Sequence, residues 1–495
     1  MKKVATILLI LVSIITCFSL SSCRPDGVDA LTFELVDNGY MVKGCAKSAR
    51  NVEIPSEYNG LPVVAIHDKC FMNCTRLESV KIPDTVTTIG ESAFYDCTKI
   101  TSIVIPSGVT KISSFTFFGC EALEEVTIPE SVTEIGDGAF WNCRLLKEVE
   151  LPSGLSEINE SVFSGCYALT NVALPSGITK IGHNAFFMCT KLSEITIPNG
   201  VTEIGDYAFR SCAFEELILP QGLVSIGGGA FYHCNLEELI LPNSLESIGI
   251  EAFAYLKDLK SVEIPSGVAE IGDRAFNGCS LLEYINVAED NKFYKSVNGV
   301  LYSKDGKALV MYPQGKSWES YKILDGVEAI KASALENCDK LTAIELPNSI
   351  TTIGERAFCD CEALKEFVVP NGVTIIDERT FSGCYSLESV ALPEGIVSIE
   401  EGGFYDCSSL KEIDLPSTVQ NIGANAFFSC EALDKIVIPK SVTKVGYGIL
   451  IGCGEVTVYC EAQEKPNDWD NHWNLKSLGF LARDRHNVAW GYKEN

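Results

Sequence analysis

Histidine is scarce: five occur in 495 residues, and His67, His183, His233, His472 and His486 are dispersed along the chain. No G-x-S-x-G, H-E-x-x-H or Walker-type loop occurs, so a nucleophile elbow, a zinc-hydrolase helix and a phosphate cradle all lack their residues. Basic residues are short as well, with 39 Lys plus Arg against 66 Asp plus Glu and a formal net charge of −27. That balance repels phosphate backbones and anionic lipid surfaces, which argues against nucleic acid as a partner. The apolar run at residues 4–15 is too short for a comfortable membrane span. Cysteines are plentiful, yet no close pair stands with histidines at zinc-site spacing. The expectation is a protein without catalytic residues, metal or cofactor.

What is present is one unit, copied. Phenylalanine recurs every 23 residues from Phe71 to Phe209, then at Phe231, Phe253 and Phe276, and again at Phe358, Phe381, Phe404 and Phe427, with Leu335 and Leu450 as substitutes. That column counts sixteen coils. A period of this length with an L-x-x-L-x-L core marks a leucine-rich-repeat solenoid, whose units bury their apolar faces only against one another. The expected fold is therefore an α/β solenoid of about sixteen coils of ~23 residues. Each coil has a short parallel strand ended by proline, as at Pro129, Pro152 and Pro175, because proline has no N–H for the ladder. A glycine corner follows, as at Gly90, Gly136 and Gly182, where glycine permits φ > 0 or close backbone approach. Ser113 and Glu400 occupy the same corner, so it has no strict need of glycine. The next segment, x-x-Ala-Phe-x-x-Cys, suits a helical or 3-10 turn that drives Phe inward.

Of the 21 cysteines, fifteen fall three residues after Phe or its substitute, and Leu256 takes that place in one coil. A position that accepts leucine is a core position, so the column reads as a ladder of free, buried thiols. Pairwise bridges are the alternative.

The ends and one interruption depart from the period. Lys2 and Lys3 precede the apolar run, and Leu20-Ser21-Ser22-Cys23 follows it, the layout of a secretory signal. Its ending resembles a bacterial lipobox, which implies cleavage before Cys23 and acylation of that residue, hence a membrane anchor. An ordinary signal peptide or an uncleaved anchor is the alternative, and either exports the repeats. Apolar-rich runs around Asn38-Gly39 read as a β-hairpin capping the first coil. Between Cys279 and Cys338, Asn298-Gly299 and Asp305-Gly306 mark a hairpin projecting from the array. After Cys453 the aromatics Trp469, Trp473 and Trp490 suggest a C-terminal cap. Asp468, Asp470, Asn471 and Asn474 are possible calcium ligands, without an EF-hand spacing. The expected organisation is a signal peptide (1–22), a tether (23–30), an N-terminal β cap (31–60), a first array (61–282), the insert (283–322), a second array (323–453) and a C-terminal cap (454–495).

The coil L-x-x-I-x-I-P-x-x-V-x-x-I-G-x-x-A-F-x-x-C, near-complete in LESVKIPDTVTTIGESAFYDC at residues 77–97, resembles the BspA-like subclass of bacterial leucine-rich repeats. The segment NGVLYSKDGKALVMYPQGK at 298–316 looks like an insert of that family, and VYCEAQEKPNDW at 458–469 resembles its C-terminal cap. The resemblance implies a secreted or surface-attached protein with roles in adhesion to extracellular-matrix proteins or to other cells. It brings no catalytic residues.

Function then rests on residues the repeat leaves free. The positions four and two before proline should face out of the sheet: Glu125/Thr127, Glu148/Glu150, Asn171/Ala173, Glu194/Thr196, Glu216/Ile218, Glu238/Ile240 and Ser261/Glu263. Ile218 and Ile240 lie in consecutive coils beside glutamates, which would give an apolar patch with an acidic rim. The candidate ligand-binding set is thus Glu194, Thr196, Glu216, Ile218, Glu238 and Ile240, facing extracellular or host proteins. Glycan binding or an envelope scaffold is the second reading, in which Trp469, Trp473 and Tyr302 would be exposed and stack on sugars.

Overall fold

The computed structural model describes residues 26–477 and 484–493; the signal segment and Cys23 lie outside them. Contacts divide the chain into two units, Met1–Val201 with Ser211–Ala213, and Thr202–Arg210 with Phe214–Asn495. Each is a stack of coils.

In the first unit the strand before a repeat proline is three residues long and pairs in parallel, in register, as Glu125–Thr127 does with Ser102–Val104 and Glu148–Glu150 with Asn171–Ala173, while before Pro198 only a bridge from Glu194 to Asn171 forms. A second ladder, two residues per coil, runs through the x-Ile before the glycine corner, as in Lys111–Ile112 with Glu134–Ile135. The second unit repeats both ladders, for example Ser225–Ile226 beside Ser247–Ile248 and Glu366–Val368 beside Ser389–Ala391.

The third side of the coil corrects the expected helical turn. The described residues contain one short 3-10 helix, Gly27–Ala30, and no α-helix, so the architecture is a β-solenoid. From Gly90 to Cys97 the N–H groups alternate. Ala93, Tyr95 and Cys97 donate within the coil to Gly90, Ser92 and Phe94, while Ser92, Phe94 and Asp96 donate to Ser114, Thr116 and Phe118 of the next coil. A helix would keep its hydrogen bonds inside one coil and forgo this third ladder. The arrangement needs left-handed backbone at Ser92 (φ 55°) and Asp96 (φ 53°). Gly90 itself serves close approach: a Cβ there would sit 2.4 Å from the Asp68 nitrogen.

Inside, the phenylalanines stack ring on ring, 5.4 Å apart from Phe94 to Phe117 and 5.6 Å from Phe404 to Phe427. Beside them stand the thiols, and all nineteen described cysteines are free.

The first coil is closed by a hairpin of β1 (Leu31–Val36) and β2 (Gly39–Cys45), and β2 continues in parallel onto Leu61–Ile66. At the other end Trp469 bridges Val445, and Trp469 and Trp473 are 2% exposed. Both ends therefore add coils that the Phe column does not count. The insert does not project. Tyr294–Val297, Val300–Ser303 and Ala308–Met311 form an antiparallel meander whose last strand pairs in parallel with Ala329–Ile330. Tyr302 and Leu309 join the same core as Phe358, because Val300, Leu301, Leu309 and Met311 are apolar enough to replace a coil rather than decorate one.

Candidate binding face

All six candidate side chains are exposed. Glu194 and Thr196 belong to the first unit; Glu216, Ile218, Glu238 and Ile240 belong to the second. Ile218 is 86% and Ile240 74% exposed, more than any other large apolar side chain described. Val104 (64%) and Val368 (69%) occupy equivalent positions singly, whereas Ile218 and Ile240 come from consecutive coils. Glu215, Glu216, Glu237 and Glu238 are exposed beside them.

The spacing before these two coils' outward residues departs from the repeat. Cys212 to Pro220 and Cys234 to Pro242 each span eight positions where Cys189 to Pro198 spans nine. Phe214 and Leu236 still fill the core slot, fully buried. The missing residue shortens the approach to the strand; residues 215–219 and 237–241 form no hydrogen-bonded strand, and neither do 195–197 or 413–415, where the spacing is the usual nine. The change of period from 23 to 22 between Phe209, Phe231 and Phe253 is the sequence signal of the shorter spacing.

Other anticipated sites are not assembled. Trp469, Trp473 and Tyr302 are buried, which removes the aromatic surface expected for sugar stacking: the tryptophans close the last coil and Tyr302 fills the insert. Asp470 Oδ1 accepts the His472 N–H at 2.6 Å, and Asn474 Oδ1 accepts from Arg485 at 2.9 Å, so these calcium candidates are used internally. Among the described residues, Glu336, Cys359 and Asp360 bring three donor atoms within 4.8 Å. Glu336, 2% exposed, already takes Arg274 Nε at 3.1 Å and Arg356 Nε at 3.1 Å. A carboxylate so neutralised is a poor cation ligand and a good staple between coils. No described helix is long and apolar enough to cross a membrane.

Comparison with known proteins fits this geometry. The family described as BspA type leucine rich repeat region (6 copies) matches residues 64–193, 179–297 and 328–457. A leucine-rich repeat protein from Bacteroides ovatus is 27% identical over 84% of this chain and 94% of its own, with a TM-score of 0.53. A leucine rich cell surface protein from Faecalibacterium prausnitzii is 30% identical over 82% of this chain and 92% of its own, with a TM-score of 0.41. A search of curated proteins gives no match. Over most of its length, then, the chain belongs to the BspA-type leucine-rich repeat family.

Proposed function

We propose that this chain is a non-catalytic surface lipoprotein that binds extracellular proteins, in adhesion to host matrix or to other cells, through the strand face of its solenoid. The observation that carries the reading is the pair Ile218 and Ile240, 86% and 74% exposed in consecutive coils. Two large aliphatic side chains held in water gain when a partner covers them, about 1.5–3 kcal/mol each on full burial. The four glutamates beside them supply a polar rim that favours a partner with basic residues at its edge. Glu194 and Thr196 carry the same outward positions in the preceding coil of the chain.

Family membership supports protein binding as a class of role, and the Faecalibacterium prausnitzii relative is described as a cell-surface protein. Attachment through an acylated Cys23 follows from the lipobox-like residues before it. Mass spectrometry of the mature N-terminus tests the anchor: a diacylglyceryl cysteine at position 23 supports it, and an unmodified N-terminus elsewhere refutes it. Binding is tested with Ile218→Asp/Ile240→Asp against immobilised matrix proteins.

A further inference from the structure

The residue after each core phenylalanine forms an outer row along the turn side of the first unit: Tyr95, Phe118, Trp141, Ser164 and Phe187. Where aromatics are consecutive they meet, Tyr95 stacking on Phe118 at 4.4 Å and Phe118 meeting Trp141 edge-on at 5.1 Å. Ser164 breaks the row. Each coil advances the core rings beneath by 5.6 or 5.5 Å, from Phe140 to Phe163 to Phe186, so Trp141 and Phe187 are separated by two such steps. One ring is missing between them, and a cleft of about 220 Å³ opens along this stretch, with Ser164, itself buried, among its lining residues.

The cleft is lined by Trp141, Asn142, Ser164, Tyr167, Asn184 and Phe187, with Glu160 at its edge and no Lys or Arg among its described lining residues. Gly165 leaves room for the Asn142 side chain, since a Cβ on Gly165 would lie 2.4 Å from Asn142 Oδ1. Among the described residues the Trp141 indole N–H, the Asn142 and Asn184 amides and the Tyr167 hydroxyl have no hydrogen-bond partner in the chain. Aromatic walls together with several uncommitted donors and acceptors describe a restricted class of ligand. A plain aromatic side chain would fill the gap and leave the amides and hydroxyl unmet, at the cost of their desolvation. An anion would meet Glu160 and no cation. A pyranose ring offers C–H faces to the aromatics and hydroxyls to the amides at once.

We propose that this cleft binds a neutral saccharide, one sugar ring seated against Trp141 and Phe187. The site is separate from the strand face and stands whether or not Ile218 and Ile240 bind protein.

The test uses the full chain on an array of oligosaccharides ending in glucose, galactose, mannose or N-acetylglucosamine, with sialylated and sulfated glycans and N-acetyltryptophanamide as controls. Retained glycans are then titrated with tryptophan fluorescence as readout. Ser164→Phe restores the aromatic that the row carries at positions 118 and 187 and so crowds the cleft from one of its lining positions. Retention of a neutral glycan by the native chain, weakened about tenfold or more by both Ser164→Phe and Trp141→Ala and unchanged in Ile218→Asp/Ile240→Asp, is the expected result. The melting temperature of each variant is measured alongside, and Trp141→Ala, which only removes a half-buried side chain, reports should Ser164→Phe misfold. The proposal is overturned if no neutral glycan is retained, if only anionic glycans or the aromatic control bind, or if a folded variant with a crowded or stripped cleft binds as the native chain does.

Discussion

The thiol of Cys97 lies 3.1 Å from the carbonyl oxygen of Phe71 in the preceding coil, an oxygen that also accepts the N–H of Cys74 at 2.9 Å. The S–H fills the second lone pair of a buried carbonyl that the backbone satisfies only once. The same contact, from cysteine to the Phe (once Leu335) one coil back, occurs in thirteen coils at 3.0–3.3 Å. The column is thus both a hydrophobe of the right volume and a weak donor.

Removing one rung should be felt locally. Cys143, fully buried with its sulfur 3.3 Å from the Phe117 oxygen, is expected on replacement by Ala to destabilise its coil by about 1–3 kcal/mol, from the cavity and the lost donor together. Hydrogen exchange of the amides around Phe117 and Phe140 measures it. Exchange equal to that of the native chain would leave the thiol without a structural role.

The column also sets an alkaline limit. Burial pushes the Cys120, Cys279 and Cys453 thiols up from 9.0 to about 12. Their folded pKa exceeds the unfolded one, so the native state holds protons that the unfolded chain releases. Stability from this source is complete below pH 9 and falls as pH rises from 9 towards 12. A melting temperature that declines over that window is expected, and Cys120→Val should lessen the slope.

Cys74 is shifted the other way. The neighbouring Cys45 thiol and the Lys47 ammonium, 3.8 Å from its sulfur, together lower its pKa from the usual thiol value. Brief treatment with iodoacetamide at neutral pH should label Cys74 first, through opening of the β1–β2 hairpin, while the column from Cys97 onward stays unlabelled until denaturant is added. Peptide mapping reads the order, and a fully denatured sample with few free thiols would contradict the ladder outright.

Glu336 is the second buried polar anchor. It bridges Arg274, before the insert, to Arg356, after it. Glu336→Leu leaves Arg356 without its carboxylate and Arg274 with Glu251 alone, at 3.0 Å, and is expected to cost about 3 kcal/mol. Urea unfolding of the variant checks this; an unchanged midpoint would show the pair to be dispensable.

Much of the fold was legible because the repeat writes each core position many times. The Phe column, the proline stops and the outward positions four and two before proline needed only counting. Two features did not follow from counting. The turn at Gly90 to Cys97 resembles a helical turn in composition, and only the hydrogen bonds to Ser114, Thr116 and Phe118 show why it is not one. The insert has the turn residues of a projecting hairpin, yet the burial of Tyr302 and Leu309 decides its place. Trp469 and Trp473 suggest a cap in the sequence, with sugar stacking as the second reading, and their packing against the last coil bears out the cap. For the candidate face, the sequence located Ile218 and Ile240, while the absence of strand pairing around them is visible only in the backbone hydrogen bonds.

Binding by the strand face is tested most directly by surface plasmon resonance of the native chain and of Ile218→Asp/Ile240→Asp over immobilised extracellular-matrix proteins, with melting curves showing both folded. The predicted result is specific capture by the native chain and a loss of about tenfold or more in the variant, from two exposed anchors removed at once. Equal capture by both chains, or no capture by the native one, contradicts it.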